Sequence, residues 1–304
     1  MSKKAFLFPG QGSQYVGMAK DLFENSVEAK EIILTADDAL GINLSYIMFN
    51  GPIHELRQTE YTQPAIFLHS IVLASLIRTI SAGAAAGHSL GEYSALVSAG
   101  AIQIHDAIKV VRIRGQAMQQ AGIDNTGIMA AIVGLKPEVV ENYCNEASSK
   151  GIVQCANFNS PGQIVISGSI DGVHKAMELC KSGGAKLVKE LDVSGAFHSP
   201  MMESAKNKLK NTLDIANFYN AKFPIYANVN AKPVKSKDEI KNNLFEQVTS
   251  PVQWEKTIMN MIEDGYDEFY EVGPGKVLHG LLKRINPDVS CITIDKYSDV
   301  EKFI

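Results

Sequence analysis

Ser89 is the residue of this chain whose surroundings best suit it for chemistry. It lies between a run of small apolar residues, 82–86, and a segment, 93–97, that has the composition of a helix. A strand, a sharp turn with a serine and a helix together form a nucleophile elbow. Gly87 and Gly91 allow a turn tight enough to expose the hydroxyl, and the helix directs its first N–H groups at the same place. We interpret Ser89 as a candidate nucleophile, with a plain glycine-rich turn as the alternative.

A serine hydroxyl needs a neighbouring base if it is to attack near neutral pH. Five of the seven histidines fall within predicted helices, where ordinary surface or packed side chains are expected: His54, His69, His105, His174 and His279. His88 is adjacent to Ser89 and is expected to point away from it. His198 lies in a glycine-containing loop, and the order serine then histidine is that of α/β-hydrolases. We predict that His198 is the base; a loop histidine that caps the next helix is the alternative.

The group that orients this imidazole stays open at this point. A catalytic triad would need a carboxylate near His198. Asp192 is close in sequence, but nothing in the pattern places it close in space, and no carboxylate at a strand end stands out. A dyad whose histidine is oriented by another group, such as a backbone carbonyl, is an equal alternative.

Gln11, Arg112 and Arg114 are further polar residues that could line a binding site. The loop 9–14 follows a predicted strand at the edge where open α/β sheets bind ligands, but it lacks the spacing of a phosphate-binding loop. Its Gln11 could point into a crevice, with an ordinary loop glutamine as the alternative. Arg112 and Arg114 lie among apolar neighbours on a predicted helix. A solvated position is usual for such arginines, and for one of them the pairing with a buried anion stays open.

The elements that must position these residues alternate between strands and helices. Residues 5–8 show no polar alternation, which is typical of a strand buried on both faces of a parallel sheet. Helical periodicity dominates residues 18–80, and three breaks are predicted there: Gly41, Gly51-Pro52 and Gln63-Pro64. A further strand is predicted at residues 223–228. This alternation predicts a three-layer α/β domain with a parallel sheet.

Residues 126–191 show a different order, β-α-β-β-α-β, with a turn predicted at residues 159–162. This order is that of a ferredoxin-like unit, which is complete in itself. We therefore predict a ferredoxin-like subdomain at residues 125–191, inserted into a core that residues 1–124 and 192–304 form. One face of the insert would then be a wall of a cleft above Ser89.

Composition and charge exclude several classes of protein. The net charge of −4 argues against a general nucleic-acid binder. The four cysteines are far apart in sequence, which disfavours a metal site or a disulfide framework and favours reduced thiols in a cytosol. The apolar stretches at residues 5–8 and 65–77 are too short for a signal peptide or a membrane span. A cytoplasmic location is therefore expected.

Seven segments, spread over nearly the whole chain and in the same order, resemble the malonyl-CoA:acyl-carrier-protein transacylases of fatty-acid synthesis. They are FPGQGSQ (8–14), GHSLGEY (87–93), RG (114–115), the segment 157–168, AFHS (196–199), PVQW (251–254) and EVGPG (271–275). The resemblance implies a hydrolase-like α/β core with a ferredoxin-like insert, in agreement with the pattern of elements. It also implies transfer of a malonyl group from coenzyme A to the thiol of acyl carrier protein, by a ping-pong reaction through a malonyl-serine.

The resemblance further implies a role for individual residues. Ser89 would be the nucleophile, and His198 would act first as base and then as acid. The backbone N–H groups of Leu90 and Gln11 would form the oxyanion hole. The main-chain carbonyl that orients the histidine in the family falls here on Gln247.

Selectivity is implied for two other positions. Arg114 would bind the free carboxylate of the malonyl group through two parallel hydrogen bonds. Arg112 matches no such position in the family and keeps its interpretation as a solvated residue. Phe197 would narrow the space at the alpha carbon of the substrate, as a phenylalanine does in related polyketide acyltransferases that prefer malonyl to methylmalonyl.

The partners implied are malonyl-CoA and acyl carrier protein. No metal or redox cofactor is implied, and neither a nucleic acid nor a membrane is expected as a partner. The expected state is a monomer. Two basic clusters could bind the phosphates of coenzyme A or an acidic carrier protein: Lys181, Lys186 and Lys189, and Lys283 with Arg284. Ordinary solvated side chains are the alternative.

Two alternatives remain for the function. One is a discrete loading acyltransferase or an editing thioesterase of a polyketide pathway, and the other is a catalytically silent scaffold that binds carrier protein.

Overall fold

The computed structural model describes residues 2–304 and contains two β-sheets. The strands of the larger sheet are β1 (Lys3–Phe8), β2 (Ala84–Gly87), β7 (Ile225–Tyr226), β8 (Pro233–Val234), β9 (Tyr266–Val272) and β10 (Ser290–Ile294). Their order is β10-β9-β1-β2-β7-β8, and all neighbours are parallel except β7 and β8. The predicted parallel sheet is confirmed, with one antiparallel strand added at its edge.

The helices that surround this sheet come from both sides of the insert in the chain. They are α1 (Lys20–Asn25), α2 (Val27–Leu40), α3 (Leu44–Asn50), α4 (Ile53–Leu56), α5 (Thr59–Leu76), α6 (Gly91–Ser98), α7 (Ile104–Asp124), α10 (Glu203–Ile215), α11 (Lys237–Gln247), α12 (Trp254–Glu263), α13 (Val277–Ile285) and α14 (Tyr297–Val300). Short 3-10 helices occur at Pro200–Met202 and Glu301–Phe303. Among residues 2–304, no helix combines the length and the apolar character needed to cross a lipid bilayer.

The central strand β1 shows why the sheet is covered on both faces. Phe6 and Phe8 point into a core that α5, α6 and α7 complete, whereas Ala5 and Leu7 point into a second core with α12 and α13. Because neighbouring side chains of a strand alternate between its faces, an all-apolar strand requires helices on both sides. The three-layer α/β core is therefore confirmed.

The second sheet belongs to the insert. Its strands are β3 (Gly127–Val133), β4 (Val153–Ser160), β5 (Gln163–Ser169) and β6 (Leu187–Glu190), and the helices α8 (Pro137–Ala147) and α9 (Ile170–Ser182) cover one face. The strand order β4-β5-β3-β6 is fully antiparallel, which is the arrangement of a ferredoxin-like fold. The predicted fold of the insert is confirmed, and its limits at residues 125 and 191 stay a prediction.

The break predicted at Gln63 and Pro64 is wrong, since α5 continues through both residues. A proline lacks the N–H that would bond to the carbonyl four residues earlier, here that of Glu60. Arg112 Nη1 donates to this same carbonyl, and Arg112 Nη2 lies 2.8 Å from the Glu60 carboxylate. The interpretation of Arg112 as a solvated residue is therefore also wrong: its side chain is 12% exposed and replaces the missing helix bond.

Two further differences from the prediction concern the length of a strand and the length of a turn. The strand predicted at residues 223–228 has only two residues in the ladder, because the following chain turns into the antiparallel β8. The turn predicted at residues 159–162 is shorter, since β4 runs to Ser160 and pairs with Gln163. Both differences come from pairing between neighbouring strands, which sets where each strand ends and which the pattern of residue types alone does not contain.

Candidate active site

The turn between β2 and α6 carries Ser89 at the carboxyl edge of the larger sheet. Ser89 has a φ of 50°, in the left-handed region that residues other than glycine rarely adopt. A Cβ at Gly87 would lie 1.9 Å from the carbonyl carbon of Gly91, and one at Gly91 would lie 2.1 Å from the oxygen of Phe8. The two glycines therefore allow α6 to pack against the strands while the serine hydroxyl stays clear of both.

His198 faces this serine from the loop before α10. Its Nε2 lies 2.8 Å from Ser89 Oγ, and its Nδ1 lies 2.9 Å from the main-chain oxygen of Gln247. Because a carbonyl only accepts hydrogen bonds, Nδ1 carries the proton and Nε2 is left to accept one from the serine. His198 also has a positive φ, 56°, and is 3% exposed. The structure thus brings the predicted nucleophile and the predicted base into contact.

The group that orients the imidazole is the carbonyl of Gln247 and not a carboxylate. Asp192 is exposed and lies 3.3 Å from Arg57. Among residues 2–304, no side chain of Asp or Glu forms a hydrogen bond with His198. Of the two arrangements left open by the sequence, the geometry is that of a dyad.

Burial lowers the pKa of His198, and the positive charge of Arg114 lowers it further, to about 3. The hydrogen bond to Gln247 opposes this shift but does not cancel it. At neutral pH the imidazole is therefore uncharged, which is the form that can accept a proton from Ser89.

Arg114 projects from α7 towards the nucleophile and is 1% exposed. Its Nη1 donates to Gln63 Oε1 at 2.7 Å, and its Nη2 donates to Gln247 Oε1 at 3.0 Å and to Ser89 Oγ at 3.2 Å. Within residues 2–304 it has no carboxylate at salt-bridge distance, and its Nε has no hydrogen-bond partner. A buried cation paired only with neutral groups is costly, so a site for a small anion lies beside the serine hydroxyl.

Backbone donors for an oxyanion are also available at the turn. The N–H of Ser89 is already used, since it donates to Asn228 Oδ1 at 2.6 Å. The N–H groups of Leu90 and Gln11 form no hydrogen bond with any of residues 2–304. The Gln11 side chain lies along the cleft, with its Nε2 at 3.5 Å from Thr59 Oγ1. The structure therefore leaves free the two donors that the resemblance implied.

Asn228 holds the elbow together, and the sequence pattern did not single it out. Its Nδ2 donates to the Gly87 oxygen at 2.7 Å, and its Oδ1 accepts from the Ser89 N–H, so one amide bridges the turn. Its own N–H donates to Glu92 Oε2 at 3.0 Å. Asn228 lies two residues after the end of the short strand β7, and no motif of its own marks it. Only the pairing of β7 with β2 brings it beneath the elbow.

Gln63 and Glu92 are the other polar residues of the site that sequence reasoning missed. Gln63 was interpreted as part of a helix break, yet it is buried in α5 and contacts Arg114. Glu92 is 2% exposed, and its carboxylate accepts from the Gln247 side chain at 2.8 Å. The available signal was a charged residue on an otherwise uncharged helix directly after the elbow.

A cleft of about 800 Å³ opens above Ser89 between the core and the insert. Phe197 lines it and is 6% exposed. His88 also lines it, with its Nε2 at 2.8 Å from Asn159 Oδ1 and its ring against Trp254. Residues 2–304 contain no group of three His, Cys, Asp or Glu side chains that could hold a metal ion.

The chain matches the acyl transferase domain family over residues 5–290. It belongs to the acyl transferase family. It is 44% identical to the malonyl CoA-acyl carrier protein transacylase of Bacillus subtilis strain 168, over 99% of this chain and 96% of that relative. The family predicted from the seven segments is confirmed, and so is the class of enzyme.

Solved structures of other acyl transferases share this fold. An acyl carrier protein S-malonyltransferase from Vibrio cholerae has a TM-score of 0.95 at 40% identity, with 99% of both chains covered. A malonyl-transacylase solved in complex with its type II polyketide acyl-carrier protein has a TM-score of 0.95 at 38% identity, over 99% of this chain and 98% of that one. The likeness extends over the core and the insert of this acyl transferase.

Proposed function

We propose that this acyl transferase moves a malonyl group from coenzyme A to the phosphopantetheine thiol of acyl carrier protein, through a malonyl ester of Ser89. The observation that carries the proposal is Arg114, a buried cation without a counter-ion whose Nη2 lies 3.2 Å from Ser89 Oγ. A malonyl thioester presents a free carboxylate two bonds from the carbon that the serine attacks. The names of the relatives, which are malonyl transacylases, support the same substrate.

The first half of the reaction acylates the enzyme. Ser89 Oγ transfers its proton to His198 Nε2 and forms a bond to the thioester carbonyl carbon. The oxygen of that carbonyl becomes an oxyanion and accepts hydrogen bonds from the N–H groups of Leu90 and Gln11. When the C–S bond breaks, the sulfur takes the proton from His198, and coenzyme A leaves as the free thiol.

The second half reverses these steps with a different thiol. The carrier protein's thiol gives its proton to His198 Nε2 and attacks the ester carbonyl of malonyl-Ser89. The C–O bond then breaks, and Ser89 Oγ recovers its proton from His198. The Nδ1 of His198 keeps its bond to Gln247 throughout, so that the imidazole remains in the required tautomer.

Arg114 would distinguish malonyl from neutral acyl groups. A neutral chain in this position leaves the buried guanidinium with neutral acceptors only and without a counter-ion, at a cost of about 2–5 kcal/mol. Binding the carboxylate also fixes the ester between the nucleophile and the oxyanion donors. An editing thioesterase for neutral chains is therefore disfavoured.

Phe197 would set the preference for malonyl over methylmalonyl, because it lines the cleft next to His198. Replacing it by alanine makes room for one methyl group. We expect Phe197→Ala to improve kcat/KM for methylmalonyl-CoA relative to malonyl-CoA by about tenfold. Equal use of both thioesters by the native protein would contradict this role.

The carrier protein would approach over a basic part of the rim. Lys283 and Arg284 are exposed at the end of α13, and Arg284 Nη1 donates to Gln163, a residue that lines the cleft. One of the structural neighbours was solved with its acyl-carrier protein. Charge reversal at both positions is expected to raise KM for carrier protein about fivefold, without changing KM for malonyl-CoA.

A monomeric state and a cytoplasmic location stay predictions. Light scattering would check the first of them.

Mass spectrometry of the intact protein after mixing with malonyl-CoA tests the proposal. We expect the mass to rise by one malonyl group, with the added mass mapped to Ser89 and absent from Ser89→Ala. Addition of carrier protein should then remove it. No mass gain in the native protein would instead favour the silent scaffold.

A panel of acyl-CoA donors then tests the selectivity. Arg114→Ala is expected to suppress malonyl transfer and to favour acetyl transfer relative to it. Transfer to fatty-acid and to polyketide carrier proteins separates the two pathways, since both use the same chemistry. A preference for a polyketide carrier protein would select the loading acyltransferase.

A further inference from the structure

Glu92 is a buried carboxylate for which the reaction described above has no use. It lies in the first turn of α6, three residues after the nucleophile, and is 2% exposed. Among residues 2–304, no Lys, Arg or His lies at salt-bridge distance from it. Its Oε2 accepts two hydrogen bonds, from the Asn228 N–H at 3.0 Å and from Gln247 Nε2 at 2.8 Å. A buried carboxylate with only neutral donors calls for an explanation.

The amide of Gln247 connects this carboxylate to Arg114. Its Nε2 donates to Glu92, and its Oε1 accepts from Arg114 Nη2 at 3.0 Å. Since a carboxylate only accepts and a guanidinium only donates, the amide has one possible orientation. Gln247 Nε2 also donates to the main-chain oxygen of Ser89 at 3.0 Å, while the main-chain oxygen of Gln247 bonds to His198 Nδ1. Glu92 thus fixes a residue that contacts the anion site, the nucleophile and the base.

The carboxylate of Glu92 and the guanidinium of Arg114 contact opposite ends of this amide and are not at salt-bridge distance from each other. Burial raises the pKa of Glu92 to about 7, although the hydrogen bonds from Asn228 and Gln247 and the positive charge of Arg114 act to lower it. Before substrate binds, the site therefore holds one buried cation and, above that pH, one buried anion. A substrate carboxylate that docks on Arg114 adds a second anion to the same low-dielectric region.

We propose that Glu92 is a positioning and specificity-determining residue, which aligns Gln247 and moderates the attraction of Arg114 for the free carboxylate of the acyl group. This inference rests on the proposed malonyl transfer. Removal of the negative charge strengthens the capture of a carboxylate, and it makes a neutral acyl group less favourable beside the cation. Both effects raise the preference for malonyl over acetyl.

Two substitutions separate charge from alignment. Glu92→Gln keeps a carbonyl oxygen that can accept from Asn228 and Gln247, and it removes only the charge. Glu92→Leu removes the acceptor as well, so that Gln247 loses the partner that orients it. Single-turnover acylation with malonyl-CoA and with acetyl-CoA measures both, at about pH 8, where the native carboxylate is ionised.

We expect Glu92→Gln to raise the ratio of malonyl to acetyl acylation by about three- to tenfold. Glu92→Leu is expected to slow acylation by both donors, because Arg114 and His198 both depend on Gln247. The matched control is Glu271→Gln, since Glu271 is also fully buried but accepts the N–H groups of Leu278 and His279. That control should change the acylation rates with malonyl-CoA and with acetyl-CoA by the same factor.

If Glu92→Gln changed the acylation rates with both donors by the same factor, Glu92 would serve the fold alone. A fall in the ratio of malonyl to acetyl acylation would contradict the moderating role. Either result is distinct from failure of the proposed function, in which the native protein itself takes no malonyl group. Thermal unfolding of each variant reports any loss of fold and does not depend on the donor.

Discussion

His198 and Arg114 illustrate how two buried residues set each other's chemistry. The imidazole must be neutral to accept a proton, and the nearby guanidinium supports this state by lowering the pKa of His198. The same guanidinium is available to a substrate carboxylate, which would in turn reduce its effect on the histidine. Electrostatic effects of this size need the low dielectric of a buried site.

Replacement of Arg114 by alanine should therefore change the pH profile as well as the substrate preference. Without the cation, the pKa of His198 rises, so acyl transfer is lost at a higher pH when the solution is acidified. We expect the acid limb to move up by on the order of one pH unit, measured with acetyl-CoA because this donor has no carboxylate for Arg114. Arg112→Ala is the matched control, since that side chain points from the same helix to Glu60. An unchanged acid limb in Arg114→Ala would contradict the coupling.

At the scale of elements, the elbow depends on the absence of two side chains. The spacing of Gly87 and Gly91 predicted a tight turn from sequence alone, and the distances show why the turn tolerates nothing larger. Helix α6 lies against β1 and β2 with its first turn at van der Waals contact. Activity and stability should therefore respond together to changes there.

A pair of glycine substitutions tests this requirement. Gly91→Ala should unfold or inactivate the protein, because its Cβ would lie 2.1 Å from the Phe8 oxygen. Gly280→Ala is the control, since a Cβ there meets nothing within 4 Å inside the exposed part of α13. That control should raise the free energy of unfolding by about 0.5–1 kcal/mol in urea titrations. Tolerance of alanine at Gly91 would show that the turn is less tight than described.

The insert also reaches the catalytic loops through one of its strands. Gln154 of β4 donates from its Nε2 to the main-chain oxygens of His198, at 2.8 Å, and of Thr249, at 3.2 Å. The same strand pairs with Val252, whose N–H donates to the Ala156 oxygen at 2.8 Å. The insert is therefore tied both to the loop of the base and to the segment after Gln247.

We expect Gln154→Leu to reduce kcat by about tenfold or more while KM for malonyl-CoA stays nearly constant, because the base moves and the anion site does not. Steady-state kinetics with carrier protein in excess measures this split. Ser167→Ala is the control from the paired strand, since its buried hydroxyl has no hydrogen-bond partner among residues 2–304. A rise of KM with unchanged kcat would assign Gln154 to substrate binding instead.

On the scale of the whole molecule, two buried carboxyl groups affect how stability depends on pH. Burial raises the pKa values of Glu92 and Glu271 from 4.5 to about 7. Between these values the folded protein holds protons that the unfolded chain has lost. Stability from these two groups therefore falls as the pH rises through this range.

Glu271→Gln should remove the contribution of Glu271 to this fall of stability with rising pH. The native free energy of unfolding contains a term from Glu271 that falls by up to about 1.4 kcal/mol per pH unit between pH 4.5 and 7, and the variant lacks it. Urea titrations of both proteins at about pH 5 and pH 7 measure the difference. The contribution of His198 has the opposite sign, and it cancels because both proteins contain it. The same change with pH in both proteins would contradict the raised pKa of Glu271.

The sequence by itself determined the features that depend on chain neighbours. The glycines around Ser89 predicted the elbow, the apolar run at residues 5–8 predicted a strand covered on both faces, and the order of elements after residue 125 predicted a ferredoxin-like insert. Each of these follows from sterics or from the period of a helix or a strand. The resemblance to a family then placed roles on residues such as Gln247, which no local pattern distinguishes.

Only the tertiary structure decided which polar groups meet beneath the elbow. Asn228 reaches Ser89 across 139 residues, and Gln247 reaches Glu92 across 155. Pro64 remains inside α5 because Arg112, far along the chain, supplies the missing donor. Hydrogen bonds and charge pairs of this kind depend on distance in space, and their energy is large only after the chain has folded and excluded water.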